Sequence, residues 1–244
     1  DDYGGDSSHV ASKLTSGVKE VFSTMGAFAA LKEDGSVVTW GNIFSGAGRG
    51  KGSKEWEQDL QSGVIKIFST SSAFAALKQD GSVVAWGGSI NPEGRTSTYD
   101  HGGDISQVKN KLQSGVVDIY STAGAFAALK EDGSVVTWGH HAAGAQGGNA
   151  DKGWQENLKS GVTKIFSNNS AFAALKKDGS IVTWGGDVPP DWRANSYTND
   201  YGGRSSGITL GKEANRSSIT PNTAAGADLS INPINDAAVV SGPV

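Results

Sequence analysis

Residues Ala27–Gly41 read AFAALKEDGSVVTWG, and the chain returns to this phrase three times. Ala73–Gly87 is AFAALKQDGSVVAWG, Ala125–Gly139 is AFAALKEDGSVVTWG and Ala171–Gly185 is AFAALKKDGSIVTWG. Twelve of the fifteen columns are the same in all four copies. Each copy centres on Asp-Gly (Asp34-Gly35, Asp80-Gly81, Asp132-Gly133, Asp178-Gly179), a strong hairpin signal because glycine accepts positive φ without steric cost. Ala27–Lys32 and Val37–Trp40 read as the two strands of that hairpin, and Val21–Thr24 as a third strand before it. In the second strand Phe28 and Ala30 point one way, Ala29 and Leu31 the other, so both faces are apolar. A sheet with one wet face would alternate apolar and polar residues. Each small sheet therefore has to be packed between neighbours, as in a propeller or a stacked array.

The repeat tryptophans Trp40, Trp86, Trp138 and Trp184 are separated by 46, 52 and 46 residues, which makes the higher period 98. The linkers obey it. Gly46-Ala47…Trp56…Leu60 recurs 98 residues on as Gly144-Ala145…Trp154…Leu158, while the other linker type carries Gly4-Gly5, Gly102-Gly103 and Gly202-Gly203. Val10 with Leu14, Trp56 with Leu60, Val108 with Leu112 and Trp154 with Leu158 form i, i+4 pairs that predict a short helix in each linker. Ser8, Ser53, Ser106 and Asp151 are its candidate N-caps. The expected fold is all-β: tandem antiparallel β-meanders, propeller-like, with four blades or part of a larger assembly, and short helices in the linkers. The expected domains are 1–211, two duplicated pairs of 98 residues, and 212–244, a linker or tail without a repeat. Asp1 stands inside a Gly-Gly linker, which elsewhere follows Trp-Gly, so a preceding repeat is expected upstream.

Composition narrows the function. Among 244 residues there are 35 glycines, about twice the usual share of roughly 7%, and no cysteine, so thiolate metal sites and cysteine nucleophiles are excluded. The net charge is −4 with no basic run, which argues against nucleic acid. No apolar stretch approaches the roughly 18 residues of a membrane span. The histidines His9, His101, His140 and His141 have no nucleophile or carboxylate at a recognised spacing. Gly46–Ser53 suggests a phosphate loop but lacks the required earlier glycine, where Ser45 stands, and Gly52 follows Lys51 in place of Ser or Thr. The expectation is that the protein is not an enzyme and has no resident cofactor.

The run Asp-Gly-Ser-Val-Val-x-Trp-Gly after a small-residue strand resembles the regulator-of-chromosome-condensation repeat, which implies a β-propeller whose loops bind other macromolecules. The family usually has seven blades, against four cores here. Ile231–Val244 resembles the start of a cadherin-like repeat of large bacterial surface proteins, and that resemblance implies calcium oxygens at Asn235 and Asp236.

Because the cores are alike, recognition is expected in the segments that differ, since loops on a rigid scaffold carry such anchors. The candidate contacts are Phe44, Arg49, Trp56, Arg95, Tyr99, Trp154, Trp192, Arg193 and Tyr197, where aromatic and arginine side chains supply most binding energy. The repeat tryptophans are read as core, and for Trp56 and Trp154 packing on a sheet edge is preferred to a partner-facing role. The expected role is an extracellular structural or adhesive module, secreted or on the bacterial cell surface, whose partner is itself, as homo-oligomer or filament, or another protein or glycan. A dedicated lectin or protein-inhibitor propeller is the alternative.

Overall fold

The computed structural model describes residues 4–47, 54–88, 100–140, 144–145 and 153–186. Contacts divide the chain into Asp1–Gly211 and Lys212–Val244, and every described residue belongs to the first. Among the described residues, twelve strands form four three-stranded antiparallel sheets: β1 (Val18–Ser23), β2 (Ala27–Lys32), β3 (Val37–Gly41); β4 (Val64–Ser69), β5 (Ala73–Lys78), β6 (Val83–Gly87); β7 (Val116–Ser121), β8 (Ala125–Lys130), β9 (Val135–Gly139); and β10 (Val162–Ser167), β11 (Ala171–Lys176), β12 (Ile181–Gly185). Each is a meander in chain order. The fold is all-β and propeller-like, and among the described residues each blade has three strands. The first strand of each sheet starts three residues before the sequence reading and ends one before it. It begins at the Val of Ser-Gly-Val and bends at a bulge two residues on.

The hairpin forms where Asp-Gly places it. Gly35 adopts φ +76°, and Asp34 Oδ1 accepts from the Ser36 amide at 2.9 Å and from the Ser36 hydroxyl at 2.6 Å. The same carboxylate–serine pair recurs at Asp80, Asp132 and Asp178. The serine hydroxyl first, and its backbone N–H second, hold all four carboxyls below their ordinary range. Turn chemistry is thus what these aspartates do.

Alanine is a poor strand former, yet it dominates the middle strand. The reason is packing. Ala27, Ala29, Leu31 and Val37 of sheet 1 meet Ile67, Phe74, Val84 and Trp86 of sheet 2, so small residues on one face receive large ones from the next. Sheets 2 and 3 repeat the arrangement, as do sheets 3 and 4. The core is therefore three near-copies of one inter-sheet layer. Phe74, Phe126, Phe172 and Trp184 have no appreciable exposure.

The linkers pack across these layers. Two are α-helical, α1 (Lys54–Asp59) and α2 (Gly153–Asn157), whereas Ser8–Lys13 and Lys109–Lys111 are 3-10 turns. The sequence predicted one helix type throughout; in their described residues the Gly-Gly linkers make the tighter turn. Their caps also differ from expectation. Ser7 and Val108 occupy the cap positions in place of Ser8 and Ser106, neither with a side-chain cap bond. Ser53 and Asp151 lie outside the described residues. The lysine of each core closes the preceding linker: Lys32, Lys78, Lys130 and Lys176 donate from Nζ to the carbonyls of Lys13, Asp59, Lys111 and Asn157 at 2.7–3.0 Å. A cation is favourable there because the last carbonyls of a helical turn lack partners.

Candidate interaction surfaces

In each linker a glycine crosses the aromatic pair of the sheet that the linker leads into. Gly46 has φ +112°, and a Cβ there would come within 2.6 Å of the Phe74 ring, so only glycine fits. Its carbonyl accepts from Trp86 Nε1 at 3.1 Å. Gly4 and Gly102 do the same for Trp40 and Trp138. Trp184 Nε1 is buried without such a partner among the described residues. Phe74 stacks on one side of Trp86 at 5.3 Å and Trp56 on the other at 5.6 Å; Phe172, Trp184 and Trp154 repeat the sandwich at 5.2 and 5.9 Å. Among the described residues, Trp138 and Trp40 each stack on one phenylalanine, Phe126 and Phe28. The alternation of two linker types thus becomes an alternation of double-sided and single-sided tryptophan stacks.

The predicted contact residues separate accordingly. Trp56 and Trp154 are partly buried and packed on the repeat tryptophans. Phe44 is exposed, on a 3-10 turn (Ile43–Ser45) capped by the Asn42 side chain. Asn42 N–H donates to the Gly26 carbonyl and Thr24 Oγ1 to that of Ser45, which ties this turn to the β1–β2 loop. Met25, 82% exposed, sits in that loop, so Met25, Ile43 and Phe44 present apolar side chains at one end of sheet 1. Arg49, Arg95, Tyr99, Trp192, Arg193 and Tyr197 lie outside the described residues, as do Asn235 and Asp236.

A cleft of about 290 Å³ opens between the Ser8–Lys13 turn and α1, over the outer strand of sheet 1. His9, Lys13, Glu57 and Gln61 supply polar groups, and Trp56, Val37 and Leu60 the apolar wall. Sequence reasoning singled out Trp56 but not this cleft, because its two walls come from linkers 46 residues apart.

Groups with chemical potential elsewhere are engaged locally. His101 and His140 face each other at 6.1 Å, and His101 Nδ1 lies 3.2 Å from the Ser71 hydroxyl, which itself donates to the Ala123 carbonyl. Burial raises the pKa of Asp100, although its Oδ1 accepts from the amides of Gly102 and Gly103. Burial, followed by the neighbouring Asp118 charge, pushes the Tyr120 hydroxyl up to about 12. No group of three or more potential metal ligands occurs among the described residues. No helix among them is long and apolar enough to cross a membrane.

No protein-family model and no curated protein matches the chain. Solved structures similar to it include yeast RCC1 (Prp20) bound to Kap60, at 22% identity and a TM-score of 0.44, and human WBSCR16, at 19% and 0.42. Both are RCC1-like β-propeller proteins. The matches cover 68% and 69% of this chain and 43% and 48% of those chains, so the chain spans less than half the length of either. The computationally designed Ika4 protein is similar at 15% identity and a TM-score of 0.35, over 70% of this chain and 92% of that one.

Proposed function

We propose that the chain is a non-enzymatic structural or adhesive module of a large bacterial surface protein, working outside the cell by binding other macromolecules. The observation that carries this reading is how the apolar residues are used. The repeated strands bury most of their apolar residues between sheets, and the segments between repeats differ in sequence and carry exposed groups such as Phe44. A scaffold that holds varied segments on a repeated rigid frame is suited to binding. The sequence has no cysteine, and no group of three or more potential metal ligands occurs among the described residues, which fits the same reading. The experiment is protease treatment of intact cells that carry the full-length protein. Release of peptides from the repeat region, with cytoplasmic proteins uncut, is expected. Cleavage only after the cells are broken would refute the extracellular role.

The cleft beside Trp56 favours a second reading, a lectin-type site, since an indole wall with His9, Lys13 and Gln61 at its mouth suits a sugar ring. A glycan array probed with the full chain and with Trp56→Ala distinguishes them. Binding that the substitution abolishes, while sheet content by circular dichroism is kept, would establish the lectin reading.

A further inference from the structure

The inner layers of the stack specify a contact that its two ends are shaped to make again. Three backbone hydrogen bonds cross each layer. Between sheets 1 and 2, Met25 N–H donates to Ser71 C=O at 2.8 Å, Val37 N–H to Leu60 C=O at 2.9 Å and Val64 N–H to Gly35 C=O at 3.0 Å. Between sheets 2 and 3 the bonds are Ser71 to Ala123, Val83 to Leu112 and Val116 to Gly81; between sheets 3 and 4, Ala123 to Asn169, Val135 to Leu158 and Val162 to Gly133. At sheet 4 the series continues with two donors, Asn169 N–H and Ile181 N–H, and one acceptor, Gly179 C=O. At sheet 1 it begins with two acceptors, Met25 C=O and Leu14 C=O, and one donor, Val18 N–H. Among the described residues, these six groups have no counterpart of the bonds made inside. Donor matches acceptor at all three positions.

The side chains tell the same story. Ile67, Ile119 and Ile165 are 2%, 2% and 1% exposed, but their counterpart Val21 on the first sheet is 52% exposed. Val37, Val83 and Val135 are buried, but their counterpart Ile181 on the last sheet is 45% exposed, and Phe166 is 50% exposed where Phe68 is 8%. A Cβ at Gly35, Gly81 or Gly133 would meet the backbone of the next sheet at 2.7–2.9 Å, whereas at Gly179 nothing lies within 4 Å.

Charge gives the direction and the register. One position of the first strand reads Glu20, Lys66, Asp118, Lys164 along the stack, alternating in sign. Across the middle layer Lys66 Nζ meets Asp118 Oδ1 at 3.2 Å. The next residue in the alternation after Lys164 would be an acid, and the stack opens with Glu20. The linker parity agrees: sheets 2 and 3 are bridged by a Gly-Gly linker, and a Gly-Gly linker with Val10 and Leu14 lies over the open face of sheet 1.

We propose that the open face of sheet 4 docks on the open face of sheet 1 of a second copy of this chain, head to tail, reproducing the layer between sheets 2 and 3. Lys164 of one copy then pairs with Glu20 of the next, and Leu14 and Val21 become buried as Leu112 and Ile119 are. The contact is heterologous, so it propagates as a closed ring or an open filament. This deepens the proposed structural role by naming its partner, and rests on that reading only for its biological use.

The test is sedimentation velocity of the full chain and two variants, Val21→Arg and Ile181→Arg. Both side chains are about half exposed, so each variant keeps its fold, which circular dichroism verifies. The wild type is expected to associate with rising concentration and each variant alone to be monomeric. An equimolar mixture of the two is expected to form one-to-one dimers, because each supplies the end that the other lacks. Lys164→Glu should weaken wild-type association, and Lys164→Glu combined with Glu20→Lys should restore it. A monomeric wild type, a single variant that still associates, or a mixture that stays monomeric would each overturn the proposal. The protease result on intact cells is independent of all three, so the two readings fail separately.

Discussion

Trp86→Ala and Trp40→Ala remove the same residue from the same place in two repeats, and should not cost the same. Trp86 is 1% exposed, lies between Phe74 and Trp56, and donates its indole N–H to the Gly46 carbonyl. A fully buried tryptophan removes about 150–250 Å² from water, and at about 25 cal/mol per Å² the transfer contribution is about 4–6 kcal/mol, an upper bound. Truncations of large aromatic residues cost about 3–5 kcal/mol, and leaving the Gly46 carbonyl without its donor adds about 1 kcal/mol. We therefore expect about 4–5 kcal/mol for Trp86→Ala. Trp40 is only partly buried and, among the described residues, stacks on Phe28 alone. A smaller loss, roughly 2 kcal/mol, follows from the lower burial and the missing second ring. For a domain of this size each kcal/mol moves the melting temperature by about 2–4 °C, so the expected drops are about 8–20 °C and about 4–8 °C. Thermal unfolding of the full chain, followed by circular dichroism, measures both. Equal drops, or a Trp86→Ala protein melting with the wild type, would refute the account of double-sided stacking.

Three further outcomes follow from the repeat comparison. Gly35→Ala and Gly179→Ala both force a side chain into positive φ, but only at Gly35 does the new Cβ strike the next sheet, at 2.9 Å from the Gly63 nitrogen, so urea unfolding should show Gly35→Ala as clearly the less stable. Thr137 is 1% exposed and its hydroxyl has no partner among the described residues, so Thr137→Val should raise stability by about 1 kcal/mol in the same assay; a loss would mean that the hydroxyl is bonded. The four turn aspartates have carboxyls held below 3.8, so the stability they contribute is present above that pH and is lost as pH falls through their folded-state values. Asp80→Ala should accordingly lower the melting temperature at neutral pH and narrow the gap to about pH 3; an unchanged gap would remove the turn carboxylate from the account of acid stability.

The sequence by itself determined the repeat, the hairpin and the stacking. Asp34-Gly35 and its copies encode the turn locally, through glycine's freedom and an aspartate–serine bond that spans two residues. Apolar residues on both faces of Ala27–Lys32 could be satisfied only by neighbours on both sides, so the packed array was legible before any contact was known. The linker glycines were visible as a 98-residue rhythm, but their reason was not, because Gly46 is fixed by a phenylalanine 28 residues away. The same limit applied to the core lysines, whose carbonyl partners lie 19 residues upstream, and to the cleft between two linkers. Trp56 shows the boundary most clearly. On paper an aromatic residue in a variable linker suits packing on a sheet edge better than binding, but which ring it packs on is not legible there. Only the tertiary structure set Trp56 on Trp86, and only there did Val21 and Ile181 separate from residues of the same repeat column. Sequence identity makes repeats equivalent; their place in the stack decides which of them are buried.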